Sequence, residues 1–190
     1  MKYAHNWRRY LPLYLGIIFL VSGLLAISSL RQNNLTMVQL RQDVYDADKN
    51  NGDIETSLRT LRSYIYDHMN TDPSSSGNGI KPPIQLKYRY ERLAAAEQTK
   101  TETNNSQIYS EAQAYCETQN SIDFSGRNRV PCISEYVTNH GVHVSPVPDA
   151  LYKFDFVSPT WSPDLAGWSL VLAVLSGLGA VTTLVFRSRL

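Results

Sequence analysis

Four groupings of residues in this sequence could do chemistry. Asp46, Asp48 and Asn50 alternate ahead of Asn51-Gly52-Asp53, like the oxygen-rich opening of a calcium loop. Such a loop needs glycine at its sixth position and a bidentate glutamate at its twelfth. Here Gly52 stands seventh and Ser57 takes the glutamate's place. The run is therefore read as a helix-ending turn. His140 and His143 form a His-x-x-His pair, but zinc asks for three or four ligands, so these are read as loop histidines. Cys116 and Cys132, the only cysteines, lie 16 apart in sequence. Outside a reducing compartment they read as one disulfide, with two free thiols as the alternative.

The fourth grouping is aromatic. Of 12 tyrosines, Tyr45, Tyr64, Tyr66, Tyr88, Tyr90, Tyr109 and Tyr115 fall on expected helices. Tyrosine couples a large contact area to a polar tip, which suits either a half-exposed core or a surface for a protein or glycan partner. Nothing else suggests a reaction. The chain lacks a nucleophile elbow, a glycine-rich phosphate loop and a His-Glu-x-x-His motif. No enzyme activity and no cofactor are expected.

The elements that position these groups are set by two apolar runs. Residues 11–30 (LPLYLGIIFLVSGLLAISSL) carry no charge, and neither do residues 165–186. Either is long enough, as a helix, to span a hydrocarbon core of roughly 30 Å. Lys2, Arg8 and Arg9 precede the first run, and Arg187 and Arg189 follow the second, with no acid at either end. Basic flanks stay in the cytoplasm, so both ends (residues 1–10 and 187–190) are expected inside, at the plasma membrane. Residues 31–164, with 17 acidic and 13 basic side chains, are expected outside. A segment of that charge is a poor nucleic-acid binder. A cleaved signal peptide ending near Ala26-Ile27-Ser28 is the competing reading of the first run. Trp7, Trp161 and Trp168 are placed at the headgroup levels. Gly16 and Gly23 on one run, and Ala166, Ala173, Gly177 and Ala180 on the other, make small faces that let helices pack on each other or on a partner.

The outer segment reads as helical. Leu30, Met37 and Val44, with Leu40 and Ala47, recur at coiled-coil-like heptad spacing interrupted by Asn33. A stop follows at DKNNGD, and Asp53 can cap a second helix bearing Ile54, Leu58, Leu61, Ile65 and Met69. Residues 31–70 are thus a helical hairpin and 71–84 a Pro/Gly/Ser linker. A third helix runs over 85–119, with a break expected near Thr99–Ser106, and a disulfide-closed irregular region over 116–164. Within that region Ile133 to Asn139 reads as a short helix. The alternation of Val142, Val144 and Val147 with Tyr152, Phe154 and Phe156 predicts a small β-hairpin about Pro148-Asp149.

The fold class is therefore mainly α: two membrane-spanning helices flanking an antiparallel helical bundle. The layout is similar to the sensory half of bacterial chemoreceptors and sensor kinases with helical input domains. It departs from them where Pro159 and Pro163 break the path into the second span, and in having only four residues after Phe186. The expected role is a non-enzymatic structural or assembly subunit of the cell envelope. Its expected partners are the lipid bilayer and a membrane or envelope protein, or a second copy of the chain. A ligand-sensing module acting through a partner is the alternative.

Overall fold

Residues 2–49 form one unbroken helix, although Pro12 within it removes one backbone hydrogen bond. In the computed structural model, which describes residues 2–76, 81–119 and 128–188, α1 is Lys2–Lys49, α2 Ile54–Asp67, α3 Lys87–Gln119, α4 Arg129–His140 and α5 Leu165–Ser188. Side chains are described over 10–74, 81–119 and 128–186. Those of Trp7 and of the basic flanks Lys2, Arg8, Arg9, Arg187 and Arg189, and the linker residues 77–80, lie outside these limits. The chain is mainly helical, and two of its helices (Tyr10–Lys49 within α1, and Leu165–Phe186) are long and apolar enough to cross a membrane. The chain divides into two units: residues 1–85 with 153–190, and residues 86–152.

In the first unit α1 and α5 pack antiparallel. Leu15 lies beside Gly179, Phe19 beside Gly177, and Asn33 bonds Asp164. The buried positions are small: Ser22 and Ala26 on α1, and Ala166, Ser169, Ala173 and Ser176 on α5. The serine hydroxyls donate to carbonyls of their own helix, to Ile18, Leu165 and Leu172 at 2.6–2.7 Å. Each is satisfied locally, so the seam is held by close packing rather than by hydrogen bonds between helices. Gly177 sits in this seam, where an added Cβ would come within 2.9 Å of the Phe19 ring. Ala173 is buried and Ala180 half-buried. Gly16 and Gly23 are placed differently: nothing stands within 4 Å of where their Cβ atoms would be. The outer faces of both helices (Leu13, Ile17, Leu20 and Leu24; Leu172, Leu175, Leu178 and Leu184) are exposed.

Beyond the seam α1 continues past Asn33, which is an interior position rather than a break. Pro12 also lies within α1, ten residues after its start, not in its first turn. Above the apolar stretch Met37 and Val44 of α1 join Ile54, Leu58, Leu61, Ile65 and Met69 in the buried core of this unit. The turn between α1 and α2 follows from four residues. Asn51 adopts φ 53°, the Gly52 N–H donates to the Ala47 carbonyl at 2.8 Å, and the Asn51 N–H donates to the Asp48 carbonyl at 3.4 Å. This is a Schellman ending with asparagine in the left-handed position. Asp53 then caps α2 through the Thr56 N–H at 3.0 Å and the Thr56 hydroxyl at 2.7 Å.

The β-hairpin expected over 142–156 does not form. Lys153–Phe154 (β2) pairs antiparallel with Ile84–Gln85 (β1), in register Ile84↔Phe154 and Gln85↔Lys153. Phe156 is buried and stands edge-on to Tyr66 in the first unit, while Tyr152 tilts against Tyr90 at 4.8 Å in the second. Residues 142–148 carry no strand. With Leu93 and Glu97 of α3, Ser145 to Pro148 and Leu151 line a recess of about 260 Å³.

The second unit is built on α3 and α4. α3 runs unbroken through Thr99–Ser106, where the Thr99 and Thr103 hydroxyls find acceptors within the helix, the carbonyls of Ala95 and Thr99. Asn105 does not split the helix. Its carboxamide grips Val142 from both sides, accepting from the Val142 N–H at 2.8 Å and donating to the Val142 carbonyl at 3.0 Å. Cys116 and Cys132 form a disulfide that ties α4 to α3. Among the described residues α3 buries only Thr101, Ala112 and Cys116, and α4 buries none.

Candidate functional site

The α3–α4 pair has a different surface on each side of its disulfide. On one side Tyr109, Val130, Ile133 and Val137 line an apolar recess of about 330 Å³. On the other, Tyr115, Gln119, Asn128, Glu135, Tyr136 and Asn139, with Pro131, Cys132 and His140, line a groove of about 740 Å³. Helical spacing produces both. Tyr136 and His140 lie four apart, on the side of α4 that carries Cys132, while Val130, Ile133 and Val137 follow an i, i+3, i+7 stripe.

The rings in the larger groove are fixed. Tyr136 stacks on His140 at 4.2 Å between centroids and tilts against Tyr115 at 5.3 Å. The Nδ1 atom of His140 lies 2.9 Å from the Tyr136 carbonyl. A carbonyl can only accept, so the neutral ring carries its proton on Nδ1 and its acceptor on Nε2. The same Tyr-x-x-x-His device ends α2, where Tyr64 and His68 stack at 4.2 Å and Nδ1 lies 3.0 Å from the Tyr64 carbonyl. The sequence carried this signal twice, as tyrosine and histidine four apart at a helix C-terminus.

A second polar centre lies where α5 begins, in the first unit. Asp164 caps α5, accepting from the Gly167 N–H at 2.9 Å with one oxygen and from the Asn33 amide at 2.9 Å with the other. Ser162 is buried and accepts from the Met69 N–H at 3.0 Å, while Asn70 donates to the Leu30 carbonyl at 3.0 Å. These bonds join α1, the end of α2 and the start of α5. Sequence reasoning passed over Asp164; the signal was an aspartate immediately before an uncharged run. Trp161 and Trp168 meet edge-to-face at 5.7 Å in the same region, and both are exposed.

Burial works against ionisation of Asp164, but the Gly167 N–H, the Asn33 amide and the Ser162 hydroxyl outweigh it and hold the carboxyl below its ordinary 3.8. A depressed carboxyl favours the folded state above its unfolded value and loses that contribution as pH falls through the folded one. Acid should therefore loosen this joint below about pH 4. Asp164→Asn, which keeps a capping side chain, should flatten the dependence of thermal stability on pH between about 3 and 5. An unchanged slope would contradict the assignment.

The remaining candidates stay apart. Asp46 serves the helix end, its carboxylate accepting from Gln42 at 3.1 Å and its carbonyl from the Asn50 N–H at 3.0 Å. Asp48 is buried and His143 exposed. Among the described residues no three His, Cys, Asp or Glu side chains gather as a metal site. The chain matches no protein-family model, no curated protein and no solved structure.

Proposed function

We propose that this chain is a non-enzymatic, two-span protein of the plasma membrane that holds an interaction unit outside the cytoplasm, as an assembly subunit of the cell envelope. The exposed leucine, isoleucine and valine faces of α1 and α5 support the anchoring. In water such a surface would far exceed the apolar patches of a soluble monomer, whereas lipid matches it. Lys2, Arg8, Arg9, Arg187 and Arg189 favour a cytoplasmic location for both ends.

One observation carries the interaction role. None of the described side chains of α4 is fully buried, and Tyr88, Tyr90, Tyr109 and Tyr115 of α3 are exposed. A helix pair with so little core of its own offers both flanks for contact, and exposed tyrosine is a preferred contact residue. Crosslinking in intact membranes, read by mass spectrometry, should return one reproducible protein neighbour attached through residues of the α3–α4 unit. A chain that crosslinks only to lipid, or through α1 and α5 alone, refutes the assembly role. Protease protection with a tag at each terminus should leave both tags shielded from outside and the 31–164 segment cut. The sensing alternative draws on the 740 Å³ groove, which a purely structural subunit would not require.

A further inference from the structure

The groove beside Tyr115 is more polar than the hydrophobic grooves that take an amphipathic helix. Its volume of about 740 Å³ falls in the size range of small-ligand sites. Apart from Pro131 and the disulfide sulfur of Cys132, its lining is three carboxamides, one carboxylate, one imidazole and two phenols. Among the described residues no lysine or arginine lines the groove, and Glu135 contributes negative charge, which disfavours an anion there. What the lining supplies is donors and acceptors in similar number, set beside ring faces. Gln119, Asn128 and Asn139 each carry both a donor and an acceptor, Glu135 accepts, and His140 presents Nε2 as an acceptor.

We propose that this groove binds a neutral oligosaccharide. A pyranose ring matches it on both counts. Each hydroxyl gives one hydrogen bond and takes others, which the carboxamides and Glu135 answer. Its C–H faces lie flat on an aromatic ring, which the half-exposed Tyr115 offers. The rings need little ordering on binding: Tyr136 is held by His140 on one side and Tyr115 on the other, and α4 is bonded covalently to α3 beneath them. A site held in place in this way spends less binding energy on immobilising side chains. The proposal rests on the reading that the α3–α4 unit is the recognition part of the chain, and it names what that part recognises.

The test uses the full chain in lipid nanodiscs, free of glucoside and maltoside detergents, whose head groups belong to the proposed ligand class. Chitotetraose, cellotetraose and maltotetraose are titrated by ligand-observed NMR and calorimetry. At least one should bind, and Tyr115→Ala and Glu135→Ala should each weaken it about tenfold. Tyr115 is half exposed; backbone NMR verifies α4 and mass spectrometry the disulfide in each variant. Val130→Ser, on the opposite side of α4, should bind as the parent does. No binding of any of the three at about 10 mM overturns the proposal. So does binding that neither groove variant changes, or binding of putrescine in their place. Crosslinking decides the assembly reading separately, so the saccharide site can fail while that reading stands.

Discussion

Opening the Cys116–Cys132 bridge is expected to release α4 from α3. The bond closes a span of 16 residues, and a loop of that size corresponds to about 3 kcal/mol of unfolded-state entropy. Beyond the bridge, α4 meets α3 through the Tyr136–Tyr115 ring contact and an exposed Arg129–Glu117 ion pair at 3.6 Å, each weak beside the bond. The 12 residues of α4 are fewer than an isolated helix needs in water, and none of its described side chains is buried. The Asn105 grip on Val142 lies beyond its C-terminal end, where Gly141 donates to the Val137 carbonyl at 2.7 Å. The double variant Cys116→Ser, Cys132→Ser should therefore lose α4 helicity, seen in backbone NMR shifts, and become open to proteolysis near Arg129. The first unit should keep its thermal transition. A variant whose α4 amides stay protected would show that packing the described residues do not reveal holds this helix.

Gly167→Ala tests the joint at the start of α5, and two effects pull it in opposite directions. Inside a helix, glycine to alanine should stabilise by about 1 kcal/mol. At Gly167 the added methyl runs into the carbonyl of buried Ser162 and comes within 2.8 Å of the Trp161 indole nitrogen. Backbone cannot rotate aside as a side chain can. Moving Ser162 also disturbs its bond to the Met69 N–H, and overpacking of this kind costs about 1–3 kcal/mol. The steric effect should win, giving a lower midpoint and altered Trp161–Trp168 fluorescence. Gly16→Ala, with open space around it, should be neutral or slightly stabilising. If Gly167→Ala is the more stable of the two, the close approach at Ser162 is not a feature of the protein.

The sequence made the helices legible where local chemistry decides them. The Asn51-Gly52-Asp53 turn, the apolar stripe of α2 and the cysteine pair all stand in the structure where side-chain type alone placed them. It was silent where distant residues decide. Strand β2 has the alternation of a hairpin, yet its partner is Ile84–Gln85, some seventy residues upstream, and nothing local marks that choice. Asn33 looked like an interruption because an amide in a heptad seam usually is one; its partner, Asp164, lies 131 positions away. The groove was half visible. Tyr115 and His140 were named from the sequence and Tyr136 was not; only the disulfide-fixed approach of α4 to α3 gathers them with Glu135 and Gln119. Gly16 and Gly23 show the converse, since small residues at helical spacing met no neighbour among the described residues.

The β1–β2 ladder has a consequence for how this protein can change. Gln85 and Lys153 are paired neighbours, and one residue further on the Leu86 N–H donates to the Tyr152 carbonyl at 2.8 Å. The 67 residues from Leu86 to Tyr152 thus leave and rejoin the chain through a single doorway. Closing that doorway with a two-residue turn asks nothing new of the backbone, because antiparallel neighbours are what such turns join. The 86–152 unit can therefore be shortened, exchanged or lost in one genetic event without rethreading the rest of the chain.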